Sequence, residues 1–400
     1  MKRSLLGLLR AVTATFKPLK LSAFALSCAL GSLVAGPAAA EESQTYVMSR
    51  FWHAANNHDG DCPTGLNPRY KDQWAKNLVD LGVSPREIAR ILEKDAEAGE
   101  GRDFESNELL KLMITRGRIN GKAVNSYAHP LAVTDPKLKP WSGKFAYGFD
   151  LDGRGVTATS FEDPESHEKG VKHELARVLG CNDEFRARLR EGSASALFLW
   201  TAIKDAAPAW TFTVTGEDLK KDGPVTIKVS RALEGIKYNG NGTARADMTY
   251  RADPDPRTAH NIYKGEIKGG VISVTEPGHL FMVQEPLLFP RFTLEKFHAR
   301  MKMNDQGVME IIIGGYQPIA EIYHWCGSGS IDADTNFCAE PPGIYHLLRK
   351  FADYDPDPKT GQNRAISSTY YIEAVPAFLA PVKPDGLQNI PSSAFGGGAR

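Results

Sequence analysis

Apolar and polar residues alternate strictly along several short runs between Trp210 and residue 316. In one of them Val225, Ile227 and Val229 alternate with threonine, lysine and serine. A period of two places one face of a strand on a core and the other in water, which is typical of antiparallel sheets. Turn signals rich in glycine, asparagine and proline separate the runs. We predict six or more short strands here, folded as a β-sandwich.

Before residue 208 the apolar residues follow helical spacing instead. Ser84-Pro85-Arg86-Glu87 is a typical helix start, with serine as the cap, proline at the first helical position and glutamate completing a capping box. The predicted helices span residues 84–99, 104–115, 171–189 and 194–204. The stretch from 120 to 165 has no clear period, so we expect loops with short strands there.

The fold class that follows is α+β, with a helical N-terminal region, an antiparallel β-sandwich and a short mixed C-terminal segment. The predicted organisation is a signal peptide at 1–40, a mainly helical region at 41–207, the antiparallel β-sandwich at 208–325, a disulfide loop, helix and strand packed on the sandwich at 326–380, and a disordered tail at 381–400.

The first forty residues have the composition of an export signal. Five basic residues precede an apolar stretch from Leu21 to Ala35, and Ala38-Ala39-Ala40 supplies a small-residue cleavage site before Glu41. The apolar stretch is shorter than the roughly 20 residues that a membrane-spanning helix needs. We therefore expect cleavage near Ala40, a periplasmic or secreted protein, and no integral membrane span.

Charge bears on the partners that can be expected. The chain holds 48 basic and 48 acidic residues, so loss of the five basic residues of the signal leaves 43 against 48 and a net charge near −5. No basic stripe is present to neutralise phosphates, and we therefore expect no nucleic-acid partner. The sequence leaves the oligomeric state open.

Four cysteines remain after cleavage, at positions 62, 181, 326 and 338. An even number in an oxidising compartment predicts two disulfides. Cys326 and Cys338 flank a short loop rich in glycine, serine and aspartate, so we predict that pair, which leaves Cys62 with Cys181. The chain has no C-x-x-C or C-x-x-C-H motif and no glycine-rich fingerprint or P-loop, so we expect no haem, flavin or nucleotide.

Two stretches with acidic turns suggest calcium. The stretch NNHDGDCPTGLN at 56–67 and the stretch FDLDGRG at 149–155 each place oxygen-bearing side chains around a glycine. The candidate ligands are Asn57, Asp59, Asp61, Asp150 and Asp152. Neither stretch has the full ligand set of an EF-hand loop, so a plain polar turn is the favoured interpretation and calcium the alternative.

The histidines near residue 170 raise the question of a zinc site. His173-Glu174 begins like the helix of a zinc protease, but Arg177 stands where the second histidine is required. His167 lies six residues before His173, which is not the spacing of one helix face. Loops could still gather His167, His173 and Glu174, but a solvated helix start is the favoured interpretation.

Carboxylate pairs are the remaining catalytic candidates. Asp150 with Asp152, or Glu162 with Glu165, has the chemistry of acid–base catalysis in glycoside hydrolysis. Trp200, Trp210 and Trp325 are candidates for stacking on sugars, although core packing is the commoner role of tryptophan.

Two functions remain open from the sequence. The leading hypothesis is an exported, disulfide-bonded protein with a ligand-binding or structural role, stabilised by calcium. The alternative is a periplasmic hydrolase of a glycan-type substrate that uses carboxylates of the 150–174 region. A small molecule or a glycan is the expected partner in either case, and whether the protein is an enzyme stays undecided by sequence.

Overall fold

Strands dominate the protein, for which a computed structural model describes residues 41–98, 106–197, 207–258, 260–283, 291–327 and 341–382. In chain order the strands are β1 Glu42–His53, β2 Arg118–Ile119, β3 Lys122–Ala123, β4 Phe161–Glu162, β5 Lys169–Val171, β6 Pro208–Gly216, β7 Gly223–Gly235, β8 Met248–Arg251, β9 Ile262–Lys268, β10 Val271–Val274, β11 Gly278–Met282, β12 Phe292–Met303, β13 Met309–Pro318, β14 Tyr354–Pro356 and β15 Asn363–Ala380. The helices with defined bounds are α1 Tyr70–Asp80, α2 Pro85–Ala98, α3 Ser106–Arg116, α4 Glu174–Leu179, α5 Ile319–Gly327 and α6 Pro341–Phe351.

Eight of these strands form a closed antiparallel barrel. Their order around it is β1, β6, β7, β9, β10, β12, β13 and β15, and the pairing of β15 with β1 closes the ring. β8, β11 and β14 are added outside this circuit, on β15, β12 and β15 respectively. Closure provides hydrogen-bond partners for the backbone N–H and C=O groups that an open sheet would leave unpaired at its edges.

The predicted α+β fold with a sandwich is therefore wrong. Alternation correctly indicates that one face of each strand is buried. It does not distinguish the two folds, because a sheet closed into a barrel and two stacked sheets both bury that face. The barrel also needs β1 and β15, which lie outside the range 208–325 assigned to the sandwich. The segment before residue 208 is not simply helical, because it begins with the barrel strand β1.

Some local predictions are correct. The helix expected at 84–99 is α2, and the Oγ of Ser84 accepts a hydrogen bond from the backbone N–H of Glu87 at 3.2 Å. The helix expected at 104–115 is α3. The helix expected at 171–189 is much shorter, since α4 ends at Leu179. Most of the segment 194–204 and the tail from 383 lie outside the described residues.

The largest apolar cluster combines the barrel with three helices, namely α4, α6 and the start of α5, whose Ile319 and Ile322 belong to it. Alternate residues of the barrel strands belong to it, such as Ile227 and Val229 on β7 and Ile311 and Ile313 on β13. Apolar residues of α4 and α6 belong to the same cluster, namely Leu175, Val178, Leu179, Ile344, Leu347 and Leu348. Both helices also contact β15. This packing fixes the start of α4 and the end of α6 beside one barrel strand.

Helices α1, α2 and α3 form a separate small layer. Trp74, Leu78, Ile91 and Met113 are buried among one another in a cluster of their own. Among the residues that the structure describes, none of the helices has the length and apolar character needed to cross a membrane.

Candidate active site

A cavity of about 560 Å³ lies where α4 begins and α6 ends. The charged residues that line it are Lys172, Glu174, Arg177, Lys350 and Asp353. Trp141 and Phe351 contribute apolar and aromatic wall. A concave site with several convergent polar groups and aromatic wall is a candidate site for a small molecule.

Glu174 is the first residue of α4, and its side chain is only 8% exposed. The pKa of this carboxyl is raised to about 7, mainly by burial; the charge of Arg177 opposes the shift and the negative charge of Asp353 adds to it. Nε of Arg177 donates to Oε2 of Glu174 at 2.9 Å. The group is thus held in one position with a proton affinity suited to neutral pH.

Arg177 is itself fixed by two further contacts. Its Nη2 donates to the backbone carbonyl of Thr159 at 2.9 Å, and its guanidinium lies 4.3 Å from the ring centroid of Phe161. Stacking on an aromatic face and bonding to a carbonyl leave the planar group few alternative positions.

Asp353 follows α6 and is the second carboxyl in the cavity. Burial raises its pKa to about 6, while hydrogen bonds from Ser367 and the charge of Lys172 lower it. The backbone N–H of Ser367 donates to Oδ1 at 2.8 Å, and the N–H of Asp353 donates to the carbonyl of Ala365. Asp353 is therefore anchored to β15 on both its main-chain and side-chain sides.

Lys172 connects this pair to a third carboxylate. Its Nζ lies 3.4 Å from Oδ2 of Asp152, and its side chain is largely buried. The positive charge of Lys172 lowers the pKa values of Asp152, Glu174 and Asp353 alike. One buried cation thus has three carboxylates around it, two of which line the cavity.

The first predicted calcium loop is occupied by contacts within the protein. The side-chain amide of Asn57 donates to the carbonyl of Gly180 and its Oδ1 accepts from the N–H of Ala187. Oδ2 of Asp61 accepts from the indole Nε1 of Trp141 at 3.0 Å. Asp59 is exposed.

The second predicted loop brings Asp150 and Asp152 together. Oδ2 of Asp150 accepts from the N–H of Gly155 at 2.9 Å, and its Oδ1 is buried without a hydrogen-bond partner. Asp152 accepts from the N–H of Arg154 as well as from Lys172. Within the described ranges no three or more His, Cys, Asp or Glu side chains converge closely enough to hold a metal ion. The structure therefore does not gather the two loops into one ligand set.

The disulfide between Cys62 and Cys181 is confirmed. It ties the 56–67 loop to the residues just after α4, and Cys181 is fully buried. Trp141, which lines the cavity, is held by Asp61 in that loop. The predicted partner pair, Cys326 and Cys338, lies outside the residues whose side chains are described.

The histidines do not form the zinc group considered above. His173 is fully buried, and burial, followed by the nearby His53, lowers its pKa to about 3. His167 is exposed and lies 3.8 Å from Glu162. Glu165 pairs with Arg190 at 2.7 Å, so Glu162 and Glu165 have different partners. Trp210 is buried in the barrel core, and the side chains of Trp200 and Trp325 are outside the described set.

A second cavity of about 440 Å³ is lined by Arg190, Arg300, Glu165 and Glu310 among others. Arg190 binds Glu165 and Glu310 at 2.7 and 2.6 Å, and Arg300 binds Asp163 at 2.6 Å. Its principal arginines are already engaged by carboxylates, whereas the first cavity has two carboxyls poised near neutral pH. We therefore take the first cavity as the candidate active site.

Sequence reasoning identified only part of this site. The range 150–174 contains Asp152, Lys172 and Glu174, but Asp353 and Ser367 were not considered. Both residues are distant in sequence from the range 150–174, and neither belongs to a recognisable motif. They join the site only because α6 and β15 pack beside α4.

No protein-family model, no curated protein and no solved structure matches the chain. Its function has to be inferred from the residues of the cavity.

Proposed function

We propose that the protein is a hydrolase that acts on a polar, glycan-type substrate in the cavity between α4 and α6. The observation that carries the proposal is the pair Glu174 and Asp353, two carboxyls of raised pKa that line one cavity. Two titratable groups whose environments give them different proton affinities are typical of acid–base catalysis.

The pKa values divide the roles. Between about pH 6 and 7, Glu174 keeps much of its proton and Asp353 is mostly ionised. Glu174 then donates a proton to the leaving oxygen, while Asp353 accepts a proton from the attacking water, and the carbon–oxygen bond breaks. The water oxygen forms a bond to the same carbon. When the products leave, Asp353 releases its proton to solvent and Glu174 takes one up, so both groups return to their starting forms.

The remaining lining fits a substrate rich in hydroxyl groups. The Nζ of Lys350 supplies hydrogen-bond donors, and the ring of Phe351 supplies apolar contact. Carboxylates, cations and aromatic rings around one cavity are suited to a sugar, which has both polar edges and apolar faces.

The test is the hydrolysis of a panel of glycans, measured by the release of reducing ends. We expect Glu174→Gln and Asp353→Asn to abolish the activity, and kcat/KM to be bell-shaped with limbs near pH 6 and 7. Asp183→Asn, an exposed acid just after α4, is the matched control and should leave the rate unchanged. Activity that survives both substitutions in the cavity would reject this site.

A second candidate is ligand binding without chemistry. The cavity volume of about 560 Å³ lies within the usual range for binding sites of small molecules. In that case calorimetry should detect a glycan that is bound and recovered intact, and Asp353→Asn should change the dissociation constant alone.

We also propose that the protein is exported. The support is the basic and apolar pattern of residues 1–40, together with the Cys62–Cys181 disulfide, since disulfides persist in oxidising compartments. Mass spectrometry of the exported form should give a mature chain beginning at Glu41, and a soluble form retaining residues 1–40 would contradict this.

Calcium stabilisation stays a prediction. Its support is the density of carboxylates in two glycine-containing turns and the buried, unpaired Oδ1 of Asp150. We expect calcium to raise the midpoint of thermal unfolding. At a hundredfold excess over the dissociation constant, the gain in the free energy of unfolding should be about 2.7 kcal/mol. The effect should be lost in Asp150→Ala, which removes the unpaired Oδ1, and a wild-type midpoint indifferent to calcium and to chelator would end the prediction.

A further inference from the structure

Ser367 is a fully buried residue of β15 that contacts both halves of the candidate site. Its Oγ accepts a hydrogen bond from the backbone N–H of Glu174 at 2.9 Å. Its own backbone N–H donates to Oδ1 of Asp353 at 2.8 Å. One serine thus joins the first residue of α4 to the carboxylate that follows α6.

The hydrogen-bonding roles of the serine hydroxyl are determined by its partners. A backbone N–H can only donate, so Oγ is the acceptor toward Glu174 and its own proton remains available for another acceptor. The side chain of Ser367 also lowers the pKa of Asp353, as expected if its hydroxyl donates to the ionised carboxylate. The backbone N–H and the side chain of Ser367 therefore both favour the ionised form of Asp353.

We propose that Ser367 is a positioning residue, which holds Asp353 at a fixed place relative to Glu174 and favours the ionised form that the base requires. This inference rests on the acid–base function proposed above. It assigns the division of roles to a residue that lies outside the lining of the cavity.

The strand that carries Ser367 is suited to such a role. Ser367 is opposite Tyr316 in the ladder between β15 and β13, within ten consecutive paired positions. The neighbouring Ala365 pairs with Tyr354 on β14 and accepts the N–H of Asp353. A group held by a paired strand keeps its geometry better than a group held by a loop.

The direct test is the titration of Asp353 by NMR, with ¹³C in the aspartate carboxyl groups and Asp353→Asn to identify its resonance. In Ser367→Ala we expect the pKa of Asp353 to rise by about one unit, a tenfold change in proton affinity, because a hydrogen bond to the charged form is lost. Ser367→Thr, which keeps the hydroxyl, should restore the wild-type value.

Ser368→Ala is the matched control. Ser368 is equally buried on the same strand, but its hydroxyl donates to the carbonyl of Ile366. We expect it to leave the titration of Asp353 unchanged. Equal pKa values of Asp353 in the wild type and in Ser367→Ala would overturn the proposal.

Two further outcomes are decisive. If Ser367→Ala does not fold, Ser367→Cys replaces it, because a thiol occupies the same place but is a weak donor; a raised pKa supports the proposal and an unchanged one overturns it. The titration requires no substrate. A protein without hydrolytic activity but with the expected shift would reject the proposed function while leaving the role of Ser367 intact.

Discussion

Asp353 shows how a single buried carboxyl can be useful for chemistry and costly for stability. Its surroundings favour the protonated form, so its negative charge at neutral pH is present at the expense of folding free energy. An electrostatic cost of this kind is common at active sites, where groups are selected for reactivity rather than for stability. The cost should be measurable by removing the charge.

We predict that Asp353→Asn stabilises the protein at pH 8. The folded-state pKa of about 6 lies above the ordinary value of 3.8, so the stability contributed by this group is present at low pH and is lost as the pH rises through 6. The amide has no such loss and can still accept the N–H of Ser367. Urea unfolding should show a gain of about 2 kcal/mol at pH 8 and little difference near pH 4.

Asp357→Asn is the control for that measurement. Asp357 is half-buried in the next turn, and hydrogen bonds from the N–H groups of Lys359 and Thr360 lower its pKa. Its replacement should give no stabilisation at pH 8. Coincident unfolding curves for the wild type and Asp353→Asn at pH 8 would contradict the electrostatic account of the site.

His173 should have the opposite pH dependence. Its folded-state pKa of about 3 lies below the ordinary 6.5, so the unfolded chain binds the proton more tightly and stability is lost as the pH falls below 6.5. We therefore compare the free energies of unfolding of His173→Gln and the wild type by urea unfolding. As the pH is lowered from 7.5 to 4.5, we predict that the difference shifts in favour of the variant by about 2–3 kcal/mol. A constant difference between the two proteins over that range would refute it.

At the scale of elements, the disulfide and α4 form one unit with the cavity wall. Cys181 lies two residues beyond α4, while Cys62 belongs to the loop whose Asp61 holds Trp141. Asn67, at the end of that loop, hydrogen-bonds the carbonyl of Cys181 through its N–H and Oδ1 of Asn182 through its side chain. The covalent bond therefore reinforces contacts that are already present.

We predict that the double variant Cys62→Ala, Cys181→Ala folds but is less stable by about 2–5 kcal/mol. The bridge spans 119 positions, and a cross-link over roughly 100 residues removes a large entropy from the unfolded chain in the chain-entropy account. Urea unfolding measures the loss. A reducing agent should destabilise the wild type more than the double variant, which keeps only the predicted Cys326–Cys338 pair, and equal stability of the two proteins without reducing agent would contradict the prediction.

The same scale explains which parts of the structure could be predicted. α2 was predictable because Ser84 and Pro85 act locally, and β7 because its alternation reflects its own buried face. Closure of the barrel was not, because the pairing of β1 with β15 joins segments more than 300 residues apart. Glu174 lay within a suspected range, whereas Asp353 became a candidate only through packing of α6 on β15.

At the scale of the whole molecule, β1 completes the barrel. Thr45 pairs with Ala377 of β15 on one side and with Thr213 of β6 on the other. Loss of β1 would leave two barrel strands with unpaired backbone groups, which is a condition that promotes aggregation.

We predict that the Thr45→Pro variant does not form a soluble protein that unfolds cooperatively. Proline has no N–H for the ladder and is not accommodated in the interior of a sheet. Thr45→Val is the control, since it keeps the branched shape and loses only the 2.8 Å contact with the hydroxyl of Thr213. Circular dichroism and gel filtration should separate the two variants, and a Thr45→Pro protein that unfolds like the control would show that β1 is dispensable.

The position of β1 and β15 in the chain has a consequence for the time at which the protein can fold. The partner residues of β1 on β15 lie between Tyr370 and Ala377, so no ribosome-bound intermediate that lacks them can complete the ring. Contacts between such distant segments slow folding, because a long loop must be ordered before it is rewarded. If the chain is exported as proposed, late closure would keep it in the unfolded form that passes a translocation channel, and a form without the signal would reach its native state only after residue 377 has left the ribosome.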